Sequence, residues 1–145
     1  MKVLVDTNIV LDVFLKREPF YKDSLVIFQL ACGGSISGNL AAVSMTNTFF
    51  LLRKALKDCV EIYRLMGELT ALFTVAPVTE TTISGALALR WKDFEDAVQF
   101  ITAKENDVKF IVTRNKTDFI TSDIPCMTPA EFIRFLKEKE SDIIT

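Results

Sequence analysis

The residues able to do chemistry together fall at four places in the chain. Asp6 ends the β-branched run at 2–5 (KVLV), and Asn115 and Asp118 follow a second such run at 109–113 (KFIVT). Between them, Asp93, Glu95 and Asp96 put three acids in four residues. On a helix, Asp93, Asp96, Ala97, Phe100 and Ala103 share one face by the i, i+3, i+4 rule, and that face is otherwise apolar. An inward carboxylate is costly unless it is paired or bound to metal. Glu95 is expected to point elsewhere, into solvent. Asn47 is a similar oddity, because it sits with Val43, Phe50 and Leu51 on one helical stripe. Asn is a poor helix former, and a buried amide must find partners.

Each of these residues also has a plain structural reading. Asp6 is an equally good helix N-cap. Asp93 can cap its helix, with Asp96 in the first turn where the helix dipole favours an acid. Asn47 can bond a loop. Against these stands the joint placement. Ligands of an open parallel sheet bind beyond the carboxyl ends of its strands. If the runs at 2–5 and 109–113 are neighbours, Asp6, Asp96 and Asp118 point toward one cleft, with Asp93, Asn47 and Asn115 nearby. An all-oxygen cluster suits Mg²⁺ or Mn²⁺ and not zinc. Such an ion lowers the pKa of a bound water and orients it against a phosphodiester. The expectation is that Asp6, Asp96 and Asp118 come within one ion's coordination sphere.

The residues that are missing narrow the chemistry further. The chain has no histidine, which excludes a Ser-His-Asp or Cys-His triad, a His-ligated zinc and a His general base. It has no GxGxxG or GxxxxGK[ST] loop to cradle phosphate. Its three cysteines, Cys32, Cys59 and Cys126, form neither a disulfide framework nor a zinc pattern and suit a reducing cytoplasm.

The elements that must position these residues follow from periodicity. With 145 residues, 50% hydrophobic and 25% charged, the chain reads as one ordinary globular domain over 1–140, with a loose tail at 141–145. Strands are expected at 2–5, 35–37, 73–78 and 109–113. Helices are expected from Asp6 or Thr7, from Pro19 to Gly33, and over 41–56, 57–72, 79–90, 93–106 and 130–139. Strands alternating with helices give a three-layer α/β/α domain around a parallel sheet. No apolar run reaches the length of a membrane span and no signal peptide is read, so a cytoplasmic protein is expected.

The stretches VLVDTNIVLD, FEDAVQFITAKENDVKFIVTRNKTDF and PCMTPAEFI, in this order over essentially the whole chain, resemble the PIN domain. The resemblance implies a five-stranded parallel sheet between helices. It also implies Mg²⁺- or Mn²⁺-dependent cleavage of RNA, as in the VapC-like toxins of toxin–antitoxin pairs, with an antitoxin protein as partner. By position, Asp6 matches the first metal-binding acid, and Asp96 the acid opening the D-x-x-x-x-x-x-A helix. Asp118, or the Asn115 position, matches the last site member, and Thr113 adds a hydroxyl. Two departures stand out. Asn47 occupies the place of a common glutamate, as in a subgroup with this SMTN-type helix, and Asn115 stands where many members have Asp.

Setting aside Asp6, Asp93, Asp96 and Asp118 turns the formal charge of −2 into +2 for the rest of the chain. Arg53, Lys54 and Lys57 cluster, and Arg114 and Lys116 flank the cleft loop, where they could meet phosphates. The crowded apolar residues Phe49, Phe50, Leu51 and Leu52 cannot all face one core, so a homodimer is expected. The leading reading is a metal-dependent ribonuclease. The alternative is a PIN-fold RNA- or protein-binding module with weak or lost chemistry, for which Asn47 and Asn115 are the main support. A receiver- or phosphatase-like domain fits poorly, because DTN offers one acid at the first strand's end. If Asn47 lines the cleft and reaches the ion or Asp96, Asn47→Glu should tighten Mg²⁺ binding. If Asn47 is structural, the same change should destabilise the fold.

Overall fold

The computed structural model describes residues 1–119 and 121–144. In chain order it contains β1 (Lys2–Val5), α1 (Thr7–Phe14), α2 (Tyr21–Cys32), β2 (Ser37–Ala41), α3 (Ala42–Ala55), α4 (Cys59–Leu72) and β3 (Thr74–Ala76). There follow α5 (Glu80–Leu89), α6 (Phe94–Glu105), β4 (Phe110–Val112), a 3₁₀ turn at Lys116–Phe119, β5 (Cys126–Met127) and α7 (Pro129–Ile144). The five strands form one parallel sheet in the order β3-β2-β1-β4-β5.

β1 and β4 are buried on both sides, as uninterrupted apolar runs of a parallel sheet should be. Their register pairs Val3 with Phe110, Leu4 with Ile111 and Val5 with Val112. Period-2 alternation therefore sends Leu4 and Ile111 to one face, where they meet Phe100 and Ala103 of α6. Val3, Val5 and Val112 go to the other face, where they meet Ile9, Val10, Ile27, Phe28, Leu69 and Phe132. The expected three-layer α/β/α arrangement is what forms.

The elements differ from the periodicity in several places, among them the short strand β5, for which no strand was expected. The second strand runs over Ser37–Ala41 rather than 35–37, because Gly38 and Asn39 carry no strand signal of their own. Gly38 is required there: a Cβ would overlap the Phe73 ring. α3 buries Ser44, Thr48 and Leu52, while Phe50 of the expected stripe is 55% exposed. α2 begins at Tyr21 and not at Pro19. α7 continues past the expected end at 139 to Ile144, so 141–144 is helical rather than loose; Thr145 lies outside the described residues. Among the described residues no helix is long and apolar enough to cross a membrane.

Candidate active site

The chain lays β2 and β3 outward on one side of β1, then returns to place β4 on the other side. The crevice at the carboxyl ends of β1 and β4 is thus a topological switch point. The residues that follow the paired Val5 and Val112 are Asp6 and Thr113, and the Asp6 N–H donates to the Val112 carbonyl at 3.0 Å. Asp6 takes the N-cap position of α1, yet its side chain makes no capping hydrogen bond. It accepts instead from Gln99 Nε2 at 3.0 Å and Thr113 Oγ1 at 2.8 Å. Asp6 thus stands at the N-cap without capping through its side chain, and it lines the crevice. The Thr113 hydroxyl in turn accepts from the Asn115 N–H at 3.1 Å, which fixes the loop carrying Asn115 and Asp118.

The other wall is the first turn of α6. Arg90, left-handed at φ 57°, stops α5. Asp93 caps α6 by accepting from the Asp96 N–H at 3.0 Å. The capping reading of Asp93 is therefore correct, and Asp93 lines the cleft as well. Asp6, Asn47, Asp93, Asp96, Asn115 and Asp118 all line one cavity of about 240 Å³. At roughly 30 Å³ per water, that is room for an ion with its hydration shell and little more.

Glu95 overturns its expectation. It lines the same cleft, accepting from Thr7 Oγ1 at 2.8 Å and, through its other oxygen, from Asn47 Nδ2. Asn47 thus holds Glu95 and not Asp96. Asp96, Ala97, Phe100 and Ala103 are buried on one face as the spacing predicts, but Glu95 lies off that face and is covered by Thr7 of α1 and Asn47 of α3. Gln99, Thr7 and Asn8 were missed as well. Only Gln99 had a usable signal, as an amide one turn after Asp96 among the buried residues of α6.

Burial and mutual repulsion raise the pKa values of Asp6, Glu95 and Asp96. Asp6 is pushed up mainly by burial, with Asp118 adding repulsion against the lowering hydrogen bonds of Gln99 and Thr113. Glu95 is raised by burial and by the charges of Asp6 and Asp93. Asp96 is pushed up to about 8 by burial, then by Asp6, Asp93, Asp118 and Glu95. Among the described residues none of Asp6, Glu95, Asp96 and Asp118 forms an ion pair with Lys or Arg.

The donor set fits a hard divalent cation. It is all oxygen and carries excess negative charge. The buried Gln99 Oε1, beside Asp6, has no hydrogen-bond partner among the described residues. Direct convergence is less tight than expected, since among the described residues no three acidic or thiol side chains stand close enough to hold one ion. Asp6, Asp96 and Asp118 share a cleft rather than one inner sphere, because Gln99 and Thr113 hold Asp6. This suits Mg²⁺, which keeps several waters and takes one or two carboxylates.

Two basic residues are not where the sequence suggested. Arg114 bonds Asp12 at 2.8 and 3.2 Å and covers the Phe20 ring at 4.1 Å, and Lys116 pairs with Glu131 at 2.9 Å. Arg114 is thus held by a buried acid, whereas Lys116 stays at the surface in an exposed pair. A groove lined by Arg90, Trp91, Lys92, Thr117 and Thr121 instead adjoins the acids through Asp93 and Asp118, which line it too.

The PIN domain profile matches residues 2–117, and the chain belongs to this family. It is 26% identical over 141 residues to "Ribonuclease VapC1" of Aquifex aeolicus, covering 90% of this chain and 92% of that protein. Its fold is similar to a toxin–antitoxin complex from Klebsiella pneumoniae (TM-score 0.63, 21% identity, 88% of this chain and 97% of the other). It is also similar to VapBC2 from Rickettsia felis bound to a fragment of promoter DNA (TM-score 0.66, 14% identity, 88% and 97% covered).

Proposed function

We propose that this chain is a Mg²⁺- or Mn²⁺-dependent endoribonuclease acting in the cytoplasm, the toxin of a toxin–antitoxin pair. The observation that carries the reading is the cleft at the β1–β4 switch point. There Asp6, Glu95, Asp96 and Asp118 gather with only neutral side chains to hold them. Membership in the PIN family and the ribonuclease relative support it. When bound, a divalent cation supplies an acidified water and charge neutralisation for the phosphodiester.

The chain's own residues do the rest. Asp96 and Asp118 would hold the ion together with Asp6, which Gln99 and Thr113 orient. The groove of Arg90, Trp91 and Lys92 leads the RNA backbone to the acids by charge. Glu95 weighs against the binding-module reading, since it returns to the cleft the carboxylate that Asn47 lacks. A second copy covers the apolar groove of Met45, Phe49, Phe50 and Met66 between α3 and α4. An antitoxin is the further partner.

Cleavage of end-labelled RNA, with Mg²⁺ and then with chelator, tests the activity. Metal-dependent internal cleavage that Asp96→Asn abolishes is expected. Cleavage equal in the Asp96→Asn protein would reject this site. Light scattering tests the homodimer, and a monomer at high concentration would reject it.

A further inference from the structure

The cleft contains a pairing across elements that neither segment announces: an amide on α3 and a carboxylate on α6 in direct contact. Glu95 accepts with both oxygens, from Thr7 Oγ1 at the start of α1 and from Asn47 Nδ2 in α3. Both donors are neutral. Each carboxylate oxygen has two acceptor sites, so each hydrogen bond leaves one lone pair on its oxygen for another partner. The side chain is half-buried, and it lines the cavity that Asp6, Asp96 and Asp118 also line. The geometry sets a condition on residue types. A carboxylate at 47 would stand against the carboxylate at 95, and two charges in contact in a partly dry cleft repel strongly. The contact therefore accepts one acid and one amide.

We propose that Glu95 supplies from α6 the metal-facing carboxylate that a glutamate on α3 would otherwise supply, with Asn47 and Thr7 as the positioning residues that hold it. The charge of the cleft is then undiminished by the asparagine at 47, and the acid has changed its helix. The placement is electrostatically apt. Glu95 lies in the first turn of α6 and Thr7 is the first residue of α1, so the positive ends of two helix dipoles meet at this carboxylate. The inference rests on the metal-site reading above.

The test is an exchange of the two residues, read by calorimetric titration of the metal-free protein with Mg²⁺ and with Mn²⁺, without RNA, and by thermal melting. Glu95→Gln should weaken binding about 10-fold or more. Asn47→Glu should lower the melting temperature of the metal-free protein. The double variant Asn47→Glu/Glu95→Gln should recover both the affinity and the melting temperature of the parent. Unchanged affinity in Glu95→Gln, or a double variant no better than Glu95→Gln, would overturn the proposal. Asp96→Asn separates the two layers of the argument. If it abolishes binding while Glu95→Gln does not, the metal site stands and the role of Glu95 fails. If the parent binds neither ion, both fail.

Discussion

Asp6 and Asp12 lie at opposite ends of α1, and both are buried, but their surroundings are opposite. Asp12 is fully buried and meets Arg114 in a two-pronged ion pair at 2.8 and 3.2 Å, with Arg17 at 3.9 Å. Burial raises its pKa, and the two guanidinium groups oppose that rise. Asp6 meets no cation among the described residues and is held by the amide of Gln99 and the hydroxyl of Thr113. The neighbouring Asp118 pushes it further up rather than down. A structural carboxylate is buried together with its own cation. The cleft acids are buried together with one another, which is tolerable only if a cation arrives or a proton stays.

The largest effect should come from breaking the structural pair. Arg114→Ala leaves Asp12 buried and uncompensated and should cost about 3 kcal/mol or more, seen as a lower urea midpoint. A loss near zero would mean that the pair contributes nothing net, and the contrast would collapse. In the cleft the sign reverses. Asp96→Asn removes a buried carboxyl group that has no side-chain cation, so RNA cleavage should fall about 100-fold or more while the metal-free protein melts higher. A lower melting temperature for Asp96→Asn would make Asp96 a structural acid like Asp12.

The pH dependence sharpens the same point. With Asp96 held at about 8 in the folded protein and an ordinary value of 3.8, the folded state keeps a proton that the unfolded chain releases. The folded state then binds more protons across that interval, so stability of the metal-free protein falls as pH rises from 3.8 to about 8. Melting curves at stepped pH should show this fall, with a shallower slope in Asp96→Asn. Saturating Mg²⁺ should flatten the slope in the parent. The smallest effect is expected from Thr113→Val. It removes one hydrogen bond to Asp6 and one from the Asn115 N–H, for about 1 kcal/mol of stability and a several-fold loss of cleavage, measured on the same RNA.

Much of this molecule was written in its local sequence. KVLV and KFIVT are apolar without interruption because both faces of a parallel strand are covered, and they are β1 and β4. Asp6, Asp96 and Asp118 were identifiable because polar residues at strand ends and on an apolar helix face need a reason to be there. The strand at Ser37–Ala41 was less legible, because Gly38 is set by the approach of Phe73, a residue far away in the chain. What only the tertiary structure decided is how side chains pair across elements. Arg114 looked like a phosphate ligand until the fold brought Asp12 and Phe20 against it. Glu95 looked solvated because helical periodicity describes a helix packed along its length. Its surroundings are set by where the first turn of α6 meets α1 and α3. Asn47 and Glu95 carry no shared local signal, and the hydrogen bond that joins them exists only once the chain has folded.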